Sequence, residues 1–161
     1  MNTNILKTSI VGAGMLIMFA GLASAQEQAD KVKECSIATL QGSFGYTSTG
    51  TLLDSYVPAP YAGPFAEVGR QTFDGKGNTN ATATLSSNGN ILQQATIQGT
   101  YRVSADCTGS MTLYVVQFQS TVHADFVIDR DGAEIRAIGT DSGVIESRVY
   151  RKQFRVVPDE K

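Results

Sequence analysis

Apolar and polar residues alternate with a period of two along most of the second half of the chain. The pattern is clearest where Val122, Ala124 and Phe126 alternate with His123 and Asp125. Alternation of this kind is typical of a strand with one buried face and one solvated face, as in antiparallel sheets. The pattern therefore indicates β structure that must cover its apolar face.

Tight-turn signals separate the alternating runs. Asn88-Gly89 and Asp131-Gly132 are two examples, and such pairs readily adopt the positive φ angles that short hairpins require. The runs between the turns are rich in Thr, Val, Ile, Phe and Tyr, which favour a pleated surface. The sequence predicts eight strands, near 42–52, 64–73, 78–87, 91–103, 110–118, 121–129, 133–141 and 144–155.

These strands have no strong helix to cover their apolar face. Hairpin-linked strands bury such a face as a sandwich, or by curling into a closed barrel that leaves no edge. Short, regular connections favour the barrel, and eight strands enclose packed side chains or one small ligand. We predict an all-β fold: an eight-stranded antiparallel up-and-down barrel at 41–155, with a short N-terminal helix within 26–40 and a tail at 156–161.

The first 25 residues have the features of an export signal. Lys7 precedes an apolar run from Thr8 to Leu22, and Ala23-Ser24-Ala25 has the small side chains that a signal peptidase requires. We predict a signal peptide at 1–25, cleaved after Ala25, and an exported protein that is periplasmic or secreted. The apolar run is shorter than the ~20 residues of a membrane span, so no stable membrane anchor is expected.

Export changes the interpretation of the two cysteines. In an oxidising compartment a lone pair of cysteines forms a disulfide by default, so Cys35 and Cys107 are predicted to be bonded. Closing the long loop between them stabilises the fold by roughly 4 kcal/mol in the chain-entropy model. Neither cysteine belongs to a CxxC or Cys/His motif, which favours a structural bond over a reactive thiol.

Length and composition exclude several classes of function. A chain of 161 residues suits one domain and leaves little room for a separate cofactor domain. A net charge of −2 disfavours electrostatic binding of nucleic acid. With 1 His and 2 Cys, an ordinary zinc site is not expected, and we predict neither a metal nor a cofactor.

Two polar motifs are predicted to be structural. His123 and Asp125 share a strand face near Ser120, but alternation directs that face to solvent and no G-x-S-x-G elbow is present. Residues 129–132 resemble part of a calcium loop, but the terminal Glu of such a loop is missing. They are interpreted as a hairpin turn.

One connection is much longer than the others. Residues 52–64 contain three prolines and two tyrosines, Tyr56 and Tyr61. Long loops in compact domains are often lids or binding loops. The alternative is a stiff surface loop whose tyrosines cap the end of the barrel.

Four segments carry a family resemblance: CSIATLQG at 35–42, VGRQTFDGKGN at 68–78, GTYRV at 99–103 and DCTGS at 106–110. They resemble small exported bacterial proteins with the barrel of the allene oxide cyclases and dirigent-like calycins. The resemblance implies an eight-stranded barrel with a hydrophobic cavity, and relatives of this shape are often oligomeric. Cyclases of this architecture steer reactive polyenes or epoxides inside the barrel. The shared motifs are mostly turns and the two cysteines, so the resemblance bears on fold more than on chemistry.

The fifth predicted strand bears on assembly. Residues 111–118 are apolar on both faces. Such a strand is expected to form a subunit contact, which would make the protein a homo-oligomer, or to be covered by the N-terminal segment.

The inward faces supply candidates for ligand binding. If Phe65 points into the barrel, Glu67 and Gln71 do so as well, and in the fourth strand Gln93 shares the apolar face with Tyr101. A carboxylate, two amides and a phenol in an apolar interior can orient a ligand or act as acid and base. In the opposite register Glu67 lies on the surface, which avoids the cost of burying an unpaired charge.

Three functions remain open from the sequence. The leading hypothesis is a non-enzymatic exported barrel that binds a small lipophilic molecule. The second is a cofactor-independent cyclase or isomerase with Glu67 and Tyr101 as catalytic candidates, and the third is a structural or interaction protein with a filled core. A cavity of ~300 Å³ or more is expected for the first two. The predicted ligand-binding residues are Tyr56, Tyr61, Phe65, Glu67, Gln71, Gln93 and Tyr101.

Overall fold

Alternating side chains and short turns give eight antiparallel strands that close into a barrel. The computed structural model describes residues 34–153 of the chain. Each strand pairs with the next in sequence and the last pairs with the first, so the sheet has no open edge. The strands are β1 (Gln41–Leu52), β2 (Gly63–Asp74), β3 (Asn78–Ser87), β4 (Asn90–Val103), β5 (Thr108–Val115), β6 (Ser120–Asp129), β7 (Glu134–Gly139) and β8 (Val144–Lys152).

The predicted architecture, an all-β, up-and-down, eight-stranded barrel, is confirmed. The largest differences at strand ends are three residues: β8 stops at Lys152 instead of residue 155, and β5 stops at Val115 instead of residue 118. The chain turns there because Gln119 adopts a left-handed conformation with φ 51° and its N–H bonds to the Val116 carbonyl. Outward-facing Tyr114 and Val116 are both exposed.

The short helix predicted within 26–40 is replaced, in its described part, by a 3₁₀ turn at Ile37–Thr39. The Cys35 N–H bonds to the Ala105 carbonyl at 3.0 Å, and this contact together with the disulfide holds the segment against the turn between β4 and β5. The other 3₁₀ turns lie at Ala59–Tyr61 and Arg130–Gly132. The predicted signal peptide at 1–25 and the predicted tail at 156–161 lie outside the described residues. Within residues 34–153 no helix is long and apolar enough to cross a membrane.

One end of the barrel, called the closed end, is solidly packed. Phe73 contacts Phe44 and Tyr101 edge to face, with ring centroids 5.4 and 5.1 Å apart. Leu40 lies fully buried beneath these rings. The Tyr101 hydroxyl is 2.9 Å from the Leu40 carbonyl oxygen, which ties the entering chain to β4.

An irregularity in β4 alters which side chains face inward. The register between β3 and β4 shifts because two residues of β4, Gln93 and Gln94, lie opposite a single residue of β3. Gln94 has a φ of 54°, as in a β-bulge. As a result Leu92 turns inward, whereas Ile91 and Gln93 are exposed. The predicted inward orientation of Gln93 is therefore wrong.

The predicted disulfide joins the segment before β1 to the turn between β4 and β5 at the closed end. Cys35 and Cys107 are bonded, with a sequence separation of 72 residues. We expect replacement of both cysteines by serine to lower the free energy of unfolding by about 4 kcal/mol, because the unfolded chain regains the entropy of that loop. Urea denaturation at neutral pH measures the change.

Reduction of the unaltered protein is the control for effects of the serine side chains, and its loss of stability should match that of the double variant. A loss below about 1 kcal/mol in both cases would show that the bond contributes little to the fold.

Candidate functional site

A layer of polar side chains crosses the barrel above the closed end. It forms because three adjacent strands place polar residues at neighbouring inward positions. Ser48 of β1 lies opposite Glu67 of β2 on one side and opposite Arg148 of β8 on the other. Glu146 of β8 lies one inward position further along. The register of these three strands thus brings two carboxylates and one guanidinium together inside the barrel.

Arg148 is the centre of this layer. Its Nε donates to Glu146 Oε1 at 2.8 Å, and its Nη2 lies 3.7 Å from Glu67 Oε1. The side chains of Glu67, Glu146 and Arg148 are only 10, 6 and 9% exposed. Burial alone would lower the pKa of Arg148, but the neighbouring tyrosine and carboxylates outweigh it and raise that pKa, so the guanidinium stays charged. We call Glu67, Glu146 and Arg148 the polar floor.

Tyrosines and an amide support the polar floor from the closed end. The Tyr46 hydroxyl donates to Glu67 Oε1, and burial raises the pKa of Tyr46 far enough that it remains a donor. Arg148 Nη1 donates to the Tyr150 hydroxyl at 3.2 Å, which in turn donates to Gln71 Oε1 at 3.1 Å. Every one of these groups therefore has a hydrogen-bond partner, as buried polar groups require.

A glycine makes room for the layer. A Cβ atom on Gly69 would lie 2.7 Å from the Tyr46 ring and 2.7 Å from the Thr82 carbonyl oxygen. The ring could not keep its place beside such an atom. Gly69 therefore lets Tyr46 lie flat against β2 and reach Glu67.

A cavity of about 50 Å³ lies on the other side of the polar floor. One water needs roughly 10–15 Å³ of such cavity volume, so this cavity holds a few waters at most. It is far smaller than the ~300 Å³ expected for a ligand-binding barrel. Its walls are mostly apolar, and apart from the three residues of the floor they consist of Leu52, Tyr56, Val57, Phe65, Leu85, Leu92, Ala95, Ile97, Leu113, Val115, Phe118, Ser120, Val122 and Val144.

The long loop between β1 and β2 closes the mouth of this cavity. Tyr56 and Val57, from residues 53–62, form part of the cavity wall. At the foot of the loop, the Leu53 N–H donates to the Gly143 carbonyl at 2.9 Å. At the other side, Tyr61 packs against Phe118 with ring centroids 5.1 Å apart. We call residues 53–62 the lid loop.

Tyr56 fastens the lid loop to the opposite wall. Its hydroxyl lies 3.1 Å from the Thr121 carbonyl oxygen and 3.3 Å from Asp141 Oδ2. Burial and the nearby Asp141 carboxylate raise the pKa of Tyr56, so the hydroxyl keeps its proton. Asp141 also accepts the His123 N–H at 2.6 Å and lies 2.7 Å from the His123 ring. These contacts form a latch of Tyr56, Asp141 and His123.

Only some of the predicted ligand-binding residues line the cavity. Tyr56, Phe65 and Glu67 do. Gln71 points inward but lies below the floor, bonded to Tyr150 and, through its amide nitrogen, to Thr79 at 2.9 Å.

The other three predicted residues lie elsewhere. Tyr61 packs on the outer part of the lid end, and Gln93 is exposed because of the bulge in β4. Tyr101 belongs to the closed end, where its hydroxyl is bonded to backbone carbonyls. The structure therefore does not bring Tyr101 together with Glu67.

Glu146, Arg148 and Tyr46 are not among the site residues predicted from the sequence. A signal was present in β8, where Glu146 and Arg148 are spaced two apart and so share a face with Val144 and Tyr150. The outward residues of the same strand include Ile145 and Val149, so alternation alone favours neither face. The paired opposite charges on one face were the usable clue.

The two polar motifs have the structural roles predicted for them. His123 and Asp125 are exposed, and the partner of His123 is Asp141. Asp129 bonds to Arg136 at 2.7 Å at the turn between β6 and β7. Within residues 34–153 no group of three or more His, Cys, Asp or Glu side chains is placed to hold a metal ion.

Comparison with known proteins supports the fold. No protein-family model and no curated protein sequence matches the chain. Among solved structures it is similar to a redesigned beta barrel, with a TM-score of 0.53 and 15% sequence identity. The similarity covers 74% of this chain and 96% of that one. At this identity the likeness shows the barrel fold and nothing about activity.

We expect Arg148 to be essential for the stability of the barrel. Replacing Arg148 with Met leaves two carboxylates buried without their cation, which should lower the free energy of unfolding by about 3–5 kcal/mol. Adding Glu146→Gln to that variant should restore part of the loss. Urea denaturation of the single and double variants measures both effects.

Arg151→Met is the matched control, because Arg151 lies on the same strand with its side chain 79% exposed. Its effect should stay within about 1 kcal/mol. Equal effects of the two arginine replacements would contradict the central role of Arg148.

Loss of the latch should loosen the lid loop without unfolding the barrel. Tyr56→Phe removes one hydroxyl and its hydrogen bonds, worth about 1 kcal/mol, so the Leu53 amide should exchange with solvent roughly fivefold faster. Hydrogen exchange followed by NMR at neutral pH measures this change. Tyr114→Phe, an exposed tyrosine outside the lid loop, is the control.

The latch should also be weakened in acid. Burial would raise the pKa of Asp141, but the bonds from the His123 N–H and ring outweigh it and hold that pKa below 3.8, the ordinary value. A carboxylate with a lowered pKa stabilises the folded state above its ordinary pKa and loses that effect as the pH falls.

An unchanged Leu53 exchange rate in Tyr56→Phe would show that Tyr56 does not hold the lid loop.

Proposed function

We propose that the barrel binds a small, mostly apolar molecule in the cavity between the polar floor and the lid loop. The observation that carries this proposal is the contrast between the two halves of the barrel. The closed end is filled by aromatic rings, whereas the lid end has apolar walls, an unfilled space and a floor of buried charge. Apolar walls with a few convergent polar groups are typical of ligand sites.

The size of the cavity bears on how a ligand enters. At about 50 Å³ the cavity holds only a few waters, so a larger ligand needs the lid loop to move outward. The lid loop contributes Tyr56 and Val57 to the wall, and its displacement widens the same space. The lid loop is fastened by a small number of polar contacts, which suits a segment that opens.

A cyclase or isomerase, the activity that the resemblance to allene oxide cyclases implies, is a second candidate. The contact between the Tyr46 hydroxyl and Glu67 favours it, because a carboxylate beside a phenol at the cavity floor is able to exchange a proton with a bound molecule. Glu67 would then be the catalytic residue, and Tyr46, which bonds to Glu67 but does not line the cavity, would be a positioning residue in place of Tyr101. Turnover lost in Glu67→Gln with binding retained would support this candidate.

A cavity-filling substitution tests the binding site. Ala95 lines the cavity and is buried, so Ala95→Val places two methyl groups in the space that a ligand needs. We expect binding of 1-octanol, measured by calorimetry and by the shift in the urea midpoint, to weaken at least tenfold.

Ala66→Val, on the outer face of β2, is the matched control and should bind 1-octanol as the unaltered protein does. If 1-octanol and longer or aromatic alcohols leave the unaltered protein unchanged, the barrel has a structural role and the proposal fails.

A further inference from the structure

The polar floor has carboxylate oxygens that take no part in its hydrogen bonds. Glu146 Oε1 accepts from Ser48 Oγ at 2.6 Å and from Arg148, while Glu67 Oε1 accepts from Tyr46. Among residues 34–153, the hydrogen bonds of these two carboxylates all go to Oε1 and none goes to Oε2. Glu67 and Glu146 both line the cavity.

The charges of the floor are unbalanced. One guanidinium faces two carboxylates, both about nine-tenths buried, so the ionised set carries an excess of negative charge. Arg148 is committed to both carboxylates and to Tyr150, and an anionic ligand would have to compete with them. A cation would instead complete the pairing, which matters because an unpaired buried charge is costly.

A second polar atom lies in the cavity wall without a partner. Ser120 Oγ is buried, lines the cavity, and has no hydrogen-bond partner within the described part of the chain. A hydroxyl left unpaired in an apolar wall costs free energy until a ligand or a water bonds to it. Ser120 therefore points, independently of the carboxylates, to an occupant that carries a polar group.

From these observations we infer that the ligand is an amphiphilic amine: an apolar chain or ring with a protonated amino group directed at Glu67 and Glu146. This inference rests on the proposed binding function and names its ligand class. An ammonium group supplies three donors, enough for the two free carboxylate oxygens, and its charge neutralises the floor. The apolar part lies against the walls and extends under the lid loop.

Three probes of eight carbon atoms each separate head-group preference from apolar binding: n-octylamine, 1-octanol and octanoate. Calorimetry on the unaltered protein at neutral pH should show the amine binding at least tenfold tighter than the alcohol, and octanoate binding weakest. Glu67→Gln and Glu146→Gln should each weaken amine binding about tenfold and leave the alcohol nearly unchanged. Asp125→Asn, which removes a carboxylate from the outer face, is the charge-matched control and should change neither.

The outcomes distinguish the inference from the proposed function. If the alcohol binds as tightly as the amine and Ala95→Val weakens both, the cavity is a binding site but not for amines. If octanoate binds best, the charge argument is overturned. If no probe binds, the proposed function itself fails. The probe series on the unaltered protein gives these answers even if a glutamine variant does not fold.

Discussion

The ion cluster around Arg148 is the constraint on which the interior depends. A guanidinium inside a barrel is stable only if its charge is matched and its donors are used, and Glu146, Glu67 and Tyr150 meet that need. Three strands must hold their register for these groups to meet. A shift of one residue in any of them would turn its polar side chains to solvent and leave their partners unpaired.

This layer divides the barrel into halves with different physical properties. Below it, aromatic rings and the Cys35–Cys107 disulfide fix a solid closed end that needs no further partner. Above it, the walls are apolar and the space is unfilled, and the covering segment is held by hydrogen bonds at Leu53, Tyr56, Pro60 and Tyr61 and by the Tyr61–Phe118 contact. Stability is concentrated at one end, which leaves the other end free to open.

The sequence was sufficient for the fold and insufficient for the site, for a physical reason. Strands and hairpins follow from local alternation and from turn pairs such as Asn88-Gly89, so strand order was predictable. The direction of the Gln93 side chain depends on a bulge at Gln94. Because glutamine rarely adopts a positive φ, the local sequence does not predict this bulge. The meeting of Glu67 with Arg148 depends on the closure of β8 onto β1, the longest-range pairing in the barrel.

The free-energy cost of burying the charges of the polar floor is itself an argument about function. Well-packed apolar side chains of similar volume usually give equal or greater stability than a buried ion cluster. A barrel with a purely structural role would be more stable if the aromatic packing of Phe73 and Tyr101 extended to the other end. In residues 34–153 this barrel instead has two carboxylates for one guanidinium in the floor and a hydroxyl at Ser120 that lacks a hydrogen-bond partner there. Such local departures from stable packing are found where a protein makes contact with another molecule, so the unbalanced floor is better explained by an occupant of the cavity than by the fold.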